Sequence, residues 1–285
     1  IINNTDAGTT VTGTFTALID GVLHSLPDDE AFLVGQEVFT IDYNGGTGND
    51  VVLTAFGLVE TFVRVNGNDL EIEDVNGGVT DDTITIQSDT TNNRYVITDP
   101  NNTVSTGIAG ATRPTINQVF IPFASIPGTD NIAVNTLAGD DSLTIDFSLG
   151  NFSRTIDYQG GDPTAGPGDS LTLTGGGTFA TAEFNYTNAT SGTIDVAGNS
   201  TISYNGLEPI TSLISVTDIT LNFSGSDDDL TLEDSGTAGQ TTVSSTFAET
   251  TKILNPLGSI TFNAGCGNDK IDVAGLGIGY DADLD

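Results

Sequence analysis

The chain has 285 residues, of which 39 are Asp or Glu and only 6 are Lys or Arg, so its formal charge is −33. This charge would repel a nucleic-acid backbone and an anionic membrane surface, because binding there depends on clusters of Lys and Arg. One Cys excludes an intrachain disulfide, and one His excludes chemistry that needs two imidazoles. No run of about 18 apolar residues exists, so we expect no membrane insertion.

Short runs in which aliphatic and polar residues alternate dominate the chain, and helical periodicity is nearly missing. Residues 27–36 are the one stretch where a short helix and a loop are equal alternatives. Clear strands are predicted at 83–86, 143–147, 171–174 and 271–273. In each strand, alternate side chains enter a core while Thr, Asp or Glu faces solvent.

The predicted strands share an entrance in which Asp stands just before the strand, often with Gly upstream. This Asp occurs at positions 50, 82, 130, 141, 169, 228 and 269. The irregular intervals indicate rungs of variable length with inserted loops. We therefore predict an all-β fold, an elongated parallel β-helix or β-solenoid with room for a β-sandwich-like segment. Two regions are predicted, a β module over 1–57 and an Asp/Gly/Thr-rich β-solenoid over 58–285.

Two resemblances bear on function. Residues 45–53 (GGTGNDVVL) resemble the calcium-binding nonapeptide of RTX β-roll proteins at every defined position, and residues 264–272 resemble it with Ala264 in place of the first Gly. Residues 13–54 resemble the closing module of secreted bacterial surface proteins with autotransporter-associated β-strand repeats, common in planctomycete-like proteins. The first resemblance implies calcium between consecutive tandem turns. The second implies an extracellular β-solenoid that serves as a stalk, adhesin or coat.

Calcium is the cofactor that the residues themselves predict, because Ca²⁺ takes several hard oxygens from carboxylates, amide groups and backbone carbonyls. Adjacent carboxylates repel one another, and a bound cation relieves that repulsion. The candidate ligands are Asn49, Asp50, Asp81, Asp82, Asp140, Asp141, Asp227, Asp228, Asp229, Asn268 and Asp269. The alternative is that Asp and Asn before strands are turn formers that bond their own backbone.

The predicted function is that of a non-enzymatic structural protein at the cell surface, in a stalk, fibre or surface layer. Its expected partners are copies of itself or neighbouring modules of a longer chain. One alternative is a carbohydrate-binding adhesin for surface glycans, which requires exposed aromatics on one face. Another is a β-helix polysaccharide lyase or hydrolase, which requires a basic residue facing carboxylates. Lys and Arg form no patterned cluster, and His24 lacks a nucleophile elbow.

Overall fold

The structure is a computed structural model that describes residues 13–19, 22–26, 28, 31–34, 37–45, 50–75, 80–128, 131–162, 166, 168–223, 227–277 and 280–285. The described secondary structure is β throughout, apart from one-turn 3₁₀ helices at Phe123–Ser125 and Phe147–Leu149. The prediction of an all-β protein is confirmed. Within the described residues, no helix has the length and apolarity needed to cross a lipid bilayer.

The N-terminal strands form two small antiparallel sheets. They are β1 (Phe15–Ile19), β2 (Val22–Leu26), β3 (Ala31–Val34), β4 (Glu37–Gly45) and β5 (Asp50–Leu58). β1 pairs with β2, and β4 lies between β3 and β5. Because β3 is a strand, the helix considered for 27–36 was wrong. β5 ends at Leu58 and the next strand begins at Thr61, and the predicted division between residues 57 and 58 stays a prediction.

The strands that follow build two larger sheets. They are β6 (Thr61–Asn66), β7 (Asp69–Asp74), β8 (Thr83–Asp89), β9 (Arg94–Thr98), β10 (Val104–Thr106), β11 (Thr112–Thr115), β12 (Gln118–Pro122), β13 (Ile132–Asn135), β14 (Ser142–Asp146), β15 (Ile156–Gln159), β16 (Ser170–Thr174), β17 (Thr178–Asn188), β18 (Ser191–Val196), β19 (Ile202–Asn205), β20 (Ile210–Ser212), β21 (Ser215–Asn222), β22 (Asp229–Asp234), β23 (Gln240–Ser245), β24 (Thr251–Leu254), β25 (Ser259–Asn263), β26 (Lys270–Gly275) and β27 (Asp283–Leu284).

Each of the two large sheets has eleven strands. Sheet 1 has the order β10-β6-β7-β13-β15-β19-β18-β17-β21-β25-β27, and sheet 2 has the order β11-β12-β9-β8-β14-β16-β20-β24-β23-β22-β26. From β6 onward the chain passes back and forth between them, so that each strand or short antiparallel group in one sheet is followed by one in the other. Apolar side chains from both sheets join in a single cluster, so the core belongs to the pair of sheets.

Parallel pairing links successive passes of the chain, as in β7-β13-β15-β19 of sheet 1 and β8-β14-β16-β20-β24 of sheet 2. We call each pass a rung. Antiparallel groups such as β17-β18-β19 and β22-β23-β24 are inserted between rungs. These insertions have different lengths, which accounts for the irregular intervals between the Asp-led strands.

The core consists of aliphatic columns that run from rung to rung. Ile84, Leu143, Leu171 and Ile210 stand in register across sheet 2, and all are fully buried. Their neighbours along each strand face outward, because successive side chains of a strand point to opposite faces. Those outward positions carry mainly Thr and Ser, whose strand propensity is high and whose hydroxyls suit a solvated face.

Candidate cation site: a buried column of aspartates

Three of the predicted strand-entrance aspartates lie inside the protein. Asp82, Asp141 and Asp169 each stand two residues before the first aliphatic core residue of β8, β14 and β16. Spacing by two puts a side chain on the same face of a strand, so these carboxylates point into the core. Each residue is 1% exposed. We call these three residues the aspartate column.

Two hydrogen bonds join the three aspartates of the column from rung to rung. The Asp82 N–H donates to Asp141 Oδ1 at 2.7 Å, and the Asp141 N–H donates to Asp169 Oδ1 at 2.8 Å. A hydrogen bond to a charged acceptor contributes about 1.5–3 kcal/mol. The aspartates therefore join the entrances of neighbouring rungs, where the regular strand pairing begins.

The residues directly before Asp82 and Asp141 are also aspartates. They form a second hydrogen bond between the same two rungs, with donor and acceptor rungs exchanged. The Asp140 N–H donates to Asp81 Oδ1 at 2.9 Å, while Asp141 accepts from Asp82. The pairs Asp81-Asp82 and Asp140-Asp141, on adjacent rungs, are thus joined by two hydrogen bonds, one in each direction. We call this arrangement an aspartate clamp. It differs from the turn-former alternative, because the carboxylates bond the backbone of a neighbouring rung.

The same clamp occurs near the C-terminal end of the described chain. The Asn268 N–H donates to Asp227 Oδ1 at 2.9 Å, and the Asp228 N–H donates to Asp269 Oδ1 at 3.0 Å. Asp228 is 1% exposed, whereas the other three residues are exposed. Neither carboxylate oxygen of Asp228 has a hydrogen bond. Burial raises the pKa of Asp228, and the charges of Asp269 and Asp227 raise it further.

The aspartate column also carries oxygens that the fold leaves without hydrogen bonds. The Oδ2 atoms of Asp82, Asp141 and Asp169 are buried and make none. Asp82 Oδ1 accepts from Asn102 Nδ2 at 2.8 Å. Arg64, Arg94 and Lys270 form ion pairs with carboxylates outside the column, namely Glu71, Glu73, Asp89 and Asp272.

The spacing of the rungs makes full ionisation of the column unfavourable. Neighbouring strands lie about 4.8 Å apart, and two like charges at that distance repel by about 3.5 kcal/mol at an effective dielectric constant of about 20. One clamp bond does not offset this repulsion together with the cost of desolvation. The column therefore needs either bound protons or a bound cation.

The pKa shifts agree with this conclusion. Burial raises the pKa of Asp82 to about 8, and the charges of Asp74, Asp99 and Asp141 contribute. Burial also raises the pKa of Asp141 to about 6. The pKa of Asp169 is raised for the same reason. Asp99 is fully buried, but its carboxylate accepts from the N–H groups of Asn101 and Asn102.

The register continues the column with glutamates that sequence reasoning missed. The pairing of β16 with β20 aligns Asp169 with Glu208, and that of β20 with β24 aligns Glu208 with Glu249. Glu249 is 5% exposed, and its Oε1 has no hydrogen bond. Burial raises its pKa to about 8, and the charge of Glu208 adds to the shift. No signal marked these residues, because the repeat was defined by Asp.

The structure brings together most of the candidate ligands but not all of them. Asp81, Asp82, Asp140 and Asp141 form one clamp, and Asp227, Asp228, Asn268 and Asp269 form the other. Asp169 is the third residue of the column. The sequence predicts its place at a strand entrance, but it is not among the predicted metal ligands.

Two described candidate ligands, Asp229 and Asp50, lie apart from both clamps. Asp229 is an exposed residue of β22, opposite Lys270 of β26. Asp50 begins β5 opposite Gly45, and Asn49 lies outside the described residues. Because β4 and β5 are antiparallel, the RTX-like stretch joins a hairpin here, unlike the tandem turns that the resemblance implies.

Among the residues that the structure describes, no group of three or more Asp, Glu, His or Cys side chains is arranged to hold one metal ion. No protein-family model, no curated protein and no solved structure matches the chain. The proposal for its function therefore rests on the residues of this chain alone.

Without divalent cations, we expect the free energy of unfolding to fall as the pH rises from about 4 to about 8. In this range folded Asp82 and Asp141 keep protons that the unfolded chain, with an Asp pKa near 3.9, has released. The folded state then binds more protons than the unfolded state, so stability decreases with pH. Urea unfolding at a series of pH values in chelator measures this slope.

Asp82→Asn removes one of these protons and should flatten the slope, with higher stability than the wild type at pH 8. Asp281→Asn, at an exposed residue, is the matched control and should leave the slope unchanged. Equal slopes in the wild type and Asp82→Asn would contradict the conclusion that the buried, crowded carboxylates of the aspartate column lower the stability.

Proposed function

We propose that the chain is a non-enzymatic structural module of an extracellular or cell-surface protein, built as a β-solenoid and stabilised by calcium at its aspartates. The observation that carries this proposal is the stacking of the aspartates in register from rung to rung. A chain with charge −33 that repeatedly places carboxylates on neighbouring rungs gains stability from any cation that neutralises them.

The solenoid part of the proposal is supported by topology. Successive rungs pair in parallel and alternate between two sheets, and one continuous core follows them. In such a fold each rung contacts mainly its neighbours, so length is added without a larger core. This architecture suits a stalk, fibre or coat.

Calcium fits the chemistry of the donors. Both oxygens of Asp228 are buried without hydrogen bonds, and Asp227 and Asp269 stand beside them on two adjacent rungs. Asp228 and Asp269, which lie on two adjacent rungs, would hold the ion, and the side-chain oxygen of Asn268 would add a neutral ligand. The ion would supply positive charge where carboxylates are crowded. The same role is proposed for the first clamp, and for Asp50 with Asn49 it stays a prediction.

The side chains required by the alternative functions are engaged elsewhere. Phe15 is the one exposed aromatic among the aromatic side chains that the structure describes, and it stacks on Tyr43. Phe147, Phe184 and Phe223 are buried. These observations favour a structural role over a sugar-binding platform.

The last described rung favours contact with a further module or copy. Ile271 and Val273 of β26 are each 47% exposed, whereas Leu230 and Leu232, their register partners in β22, are 1% exposed. β26 is the outermost strand of sheet 2 in the described structure. An apolar outermost strand is a template for pairing with another chain.

Calcium removal tests the central part of the proposal. We expect the melting temperature at pH 7.5 to be at least 10 °C higher in millimolar Ca²⁺ than in excess chelator. The reason is that an ion bound only by the folded state shifts the unfolding equilibrium by mass action. Equal concentrations of Mg²⁺ should give a smaller shift. Identical melting curves in calcium and in chelator would exclude the proposal.

Self-association tests the role of β26. Light scattering in millimolar Ca²⁺ should detect dimers or larger assemblies, and the double variant Ile271→Lys/Val273→Lys should be monomeric. The expected cause is loss of the apolar contact at the outermost strand. Substitution of the exposed Leu257 by Lys is the control. A monomeric wild type would remove this part of the proposal.

A further inference from the structure

A second wall of polar groups faces the aspartate column from sheet 1. Thr136, Gly160 and Gly206 directly follow β13, β15 and β19, and the strand pairing places them side by side on consecutive rungs. Here the chain leaves sheet 1 and turns toward the entrances of sheet 2. Both sets of residues therefore meet at the same corner of the core.

The glycines of this corner make room for the carboxylate of Asp169. A Cβ atom on Gly160 would lie 2.7 Å from Asp169 Oδ2 and 2.7 Å from the carbonyl oxygen of Gly206. Both distances are too short for any residue other than glycine. Asp169 Oδ2 thus rests against bare backbone, beside a carbonyl oxygen and without a hydrogen bond of its own.

Tyr158 provides an independent indication that something is bound here. Its side chain is fully buried, and its hydroxyl has no hydrogen bond. Burial raises the pKa of Tyr158, the charges of Asp169 and Asp141 raise it further, and the neighbouring Thr136 hydroxyl partly offsets the rise. The Thr136 hydroxyl itself donates to the Gly160 carbonyl oxygen at 2.9 Å. A buried phenol with Thr136 as its polar neighbour, in the field of two carboxylates whose Oδ2 atoms lack hydrogen bonds, is unfavourable unless a ligand joins these groups.

We propose that the Oδ2 atoms of Asp141 and Asp169 and the hydroxyl of Tyr158 bind one Ca²⁺ ion inside the core. This inference rests on the proposed role of calcium and assigns the ion to a buried site that lies away from the RTX-like turns. Two carboxylates balance the charge of a divalent ion, and the carbonyl oxygen of Gly206 is a neutral ligand of the kind that calcium takes. The site needs only two carboxylates, one from each of two adjacent rungs.

Calcium is favoured over magnesium by the nature of the donors. Mg²⁺ demands a near-ideal octahedron and keeps several of its waters. The donors here are side chains and backbone of a closed core, and the residues involved are almost fully buried. Ca²⁺ accepts such an irregular set of protein oxygens.

Terbium luminescence tests the site directly, because Tb³⁺ replaces Ca²⁺ and is excited through a tyrosine only when the two are close. The chain has six Tyr and no Trp, so the sensitiser can be identified by substitution. We expect tyrosine-excited Tb³⁺ emission from the folded wild-type protein, and we expect Ca²⁺ to displace it. Tyr158→Phe should remove most of the emission, and Asp141→Asn or Asp169→Asn should weaken Tb³⁺ binding at least tenfold.

Two controls distinguish this site from other carboxylates and from other tyrosines. Tyr43→Phe, whose hydroxyl donates to Leu26 O in the N-terminal sheets, should leave the emission unchanged. Asp281→Asn, at an exposed residue that belongs to neither clamp, should also leave it unchanged. Unaltered emission in Tyr158→Phe, or unaltered Tb³⁺ affinity in both Asn variants, would overturn the buried site.

Melting curves separate failure of the buried site from failure of the proposed function. If calcium stabilises the wild type and both Asn variants equally, calcium acts elsewhere and the buried site is wrong. If calcium stabilises none of these proteins and Tb³⁺ does not bind, both proposals fail. Stabilisation by calcium that is reduced in Asp141→Asn, Asp169→Asn and Tyr158→Phe, but kept in full in Asp281→Asn, supports the buried site.

Discussion

The structure depends on one hydrogen bond that is repeated from rung to rung, in which a carboxylate at a strand entrance accepts the main-chain N–H of the same position on the neighbouring rung. Asp141 bonds Asp82, and Asp169 bonds Asp141, so that each rung is positioned by the next. Regular strand pairing begins directly after these residues. The aspartates therefore hold neighbouring rungs together, and their crowded carboxylates also repel one another.

The repulsion between these carboxylates makes the stability of the fold depend on pH and on bound cations. A carboxylate that bonds a neighbouring rung must lie within one strand spacing of the next carboxylate, and only one of its two oxygens is used for the bond. Repulsion of about 3.5 kcal/mol between ionised neighbours exceeds the contribution of a single clamp bond. A proton relieves it in acid, and a divalent cation relieves it at neutral pH. Stability and cation binding thus arise from the same atoms.

Much of this arrangement can be predicted from the sequence. The alternating runs predict the bounds of the strands β8, β14 and β16 to within three residues. The pattern Asp-x-aliphatic also indicates that the Asp side chain points into the core, because spacing by two places it on the same face as the aliphatic residue. The consecutive acidic residues Asp81-Asp82 and Asp140-Asp141 likewise mark a clamp.

The partners within the site could not be predicted, because stacking depends on the length of the insertions. Asp82 and Asp141 are 59 residues apart, whereas Asp141 and Asp169 are 28 apart, yet both pairs occupy adjacent rungs. Nothing local indicates that an antiparallel group such as β17-β18-β19 will be added to a sheet and leave the register intact. The same holds for Tyr158, on which the charges of Asp141 and Asp169 act only because the two sheets pack together.

Amide hydrogen exchange of individual residues tests the repeated hydrogen bond most directly. In the wild type the amides of Asp82 and Asp141 should be strongly protected, although both precede their strands. In Asp169→Ala the Asp141 amide should exchange at least tenfold faster, while the Asp82 amide, which is bonded to Asp141, keeps its protection. Fast exchange of both amides in the wild type, or unchanged protection of Asp141 in the variant, would contradict the account.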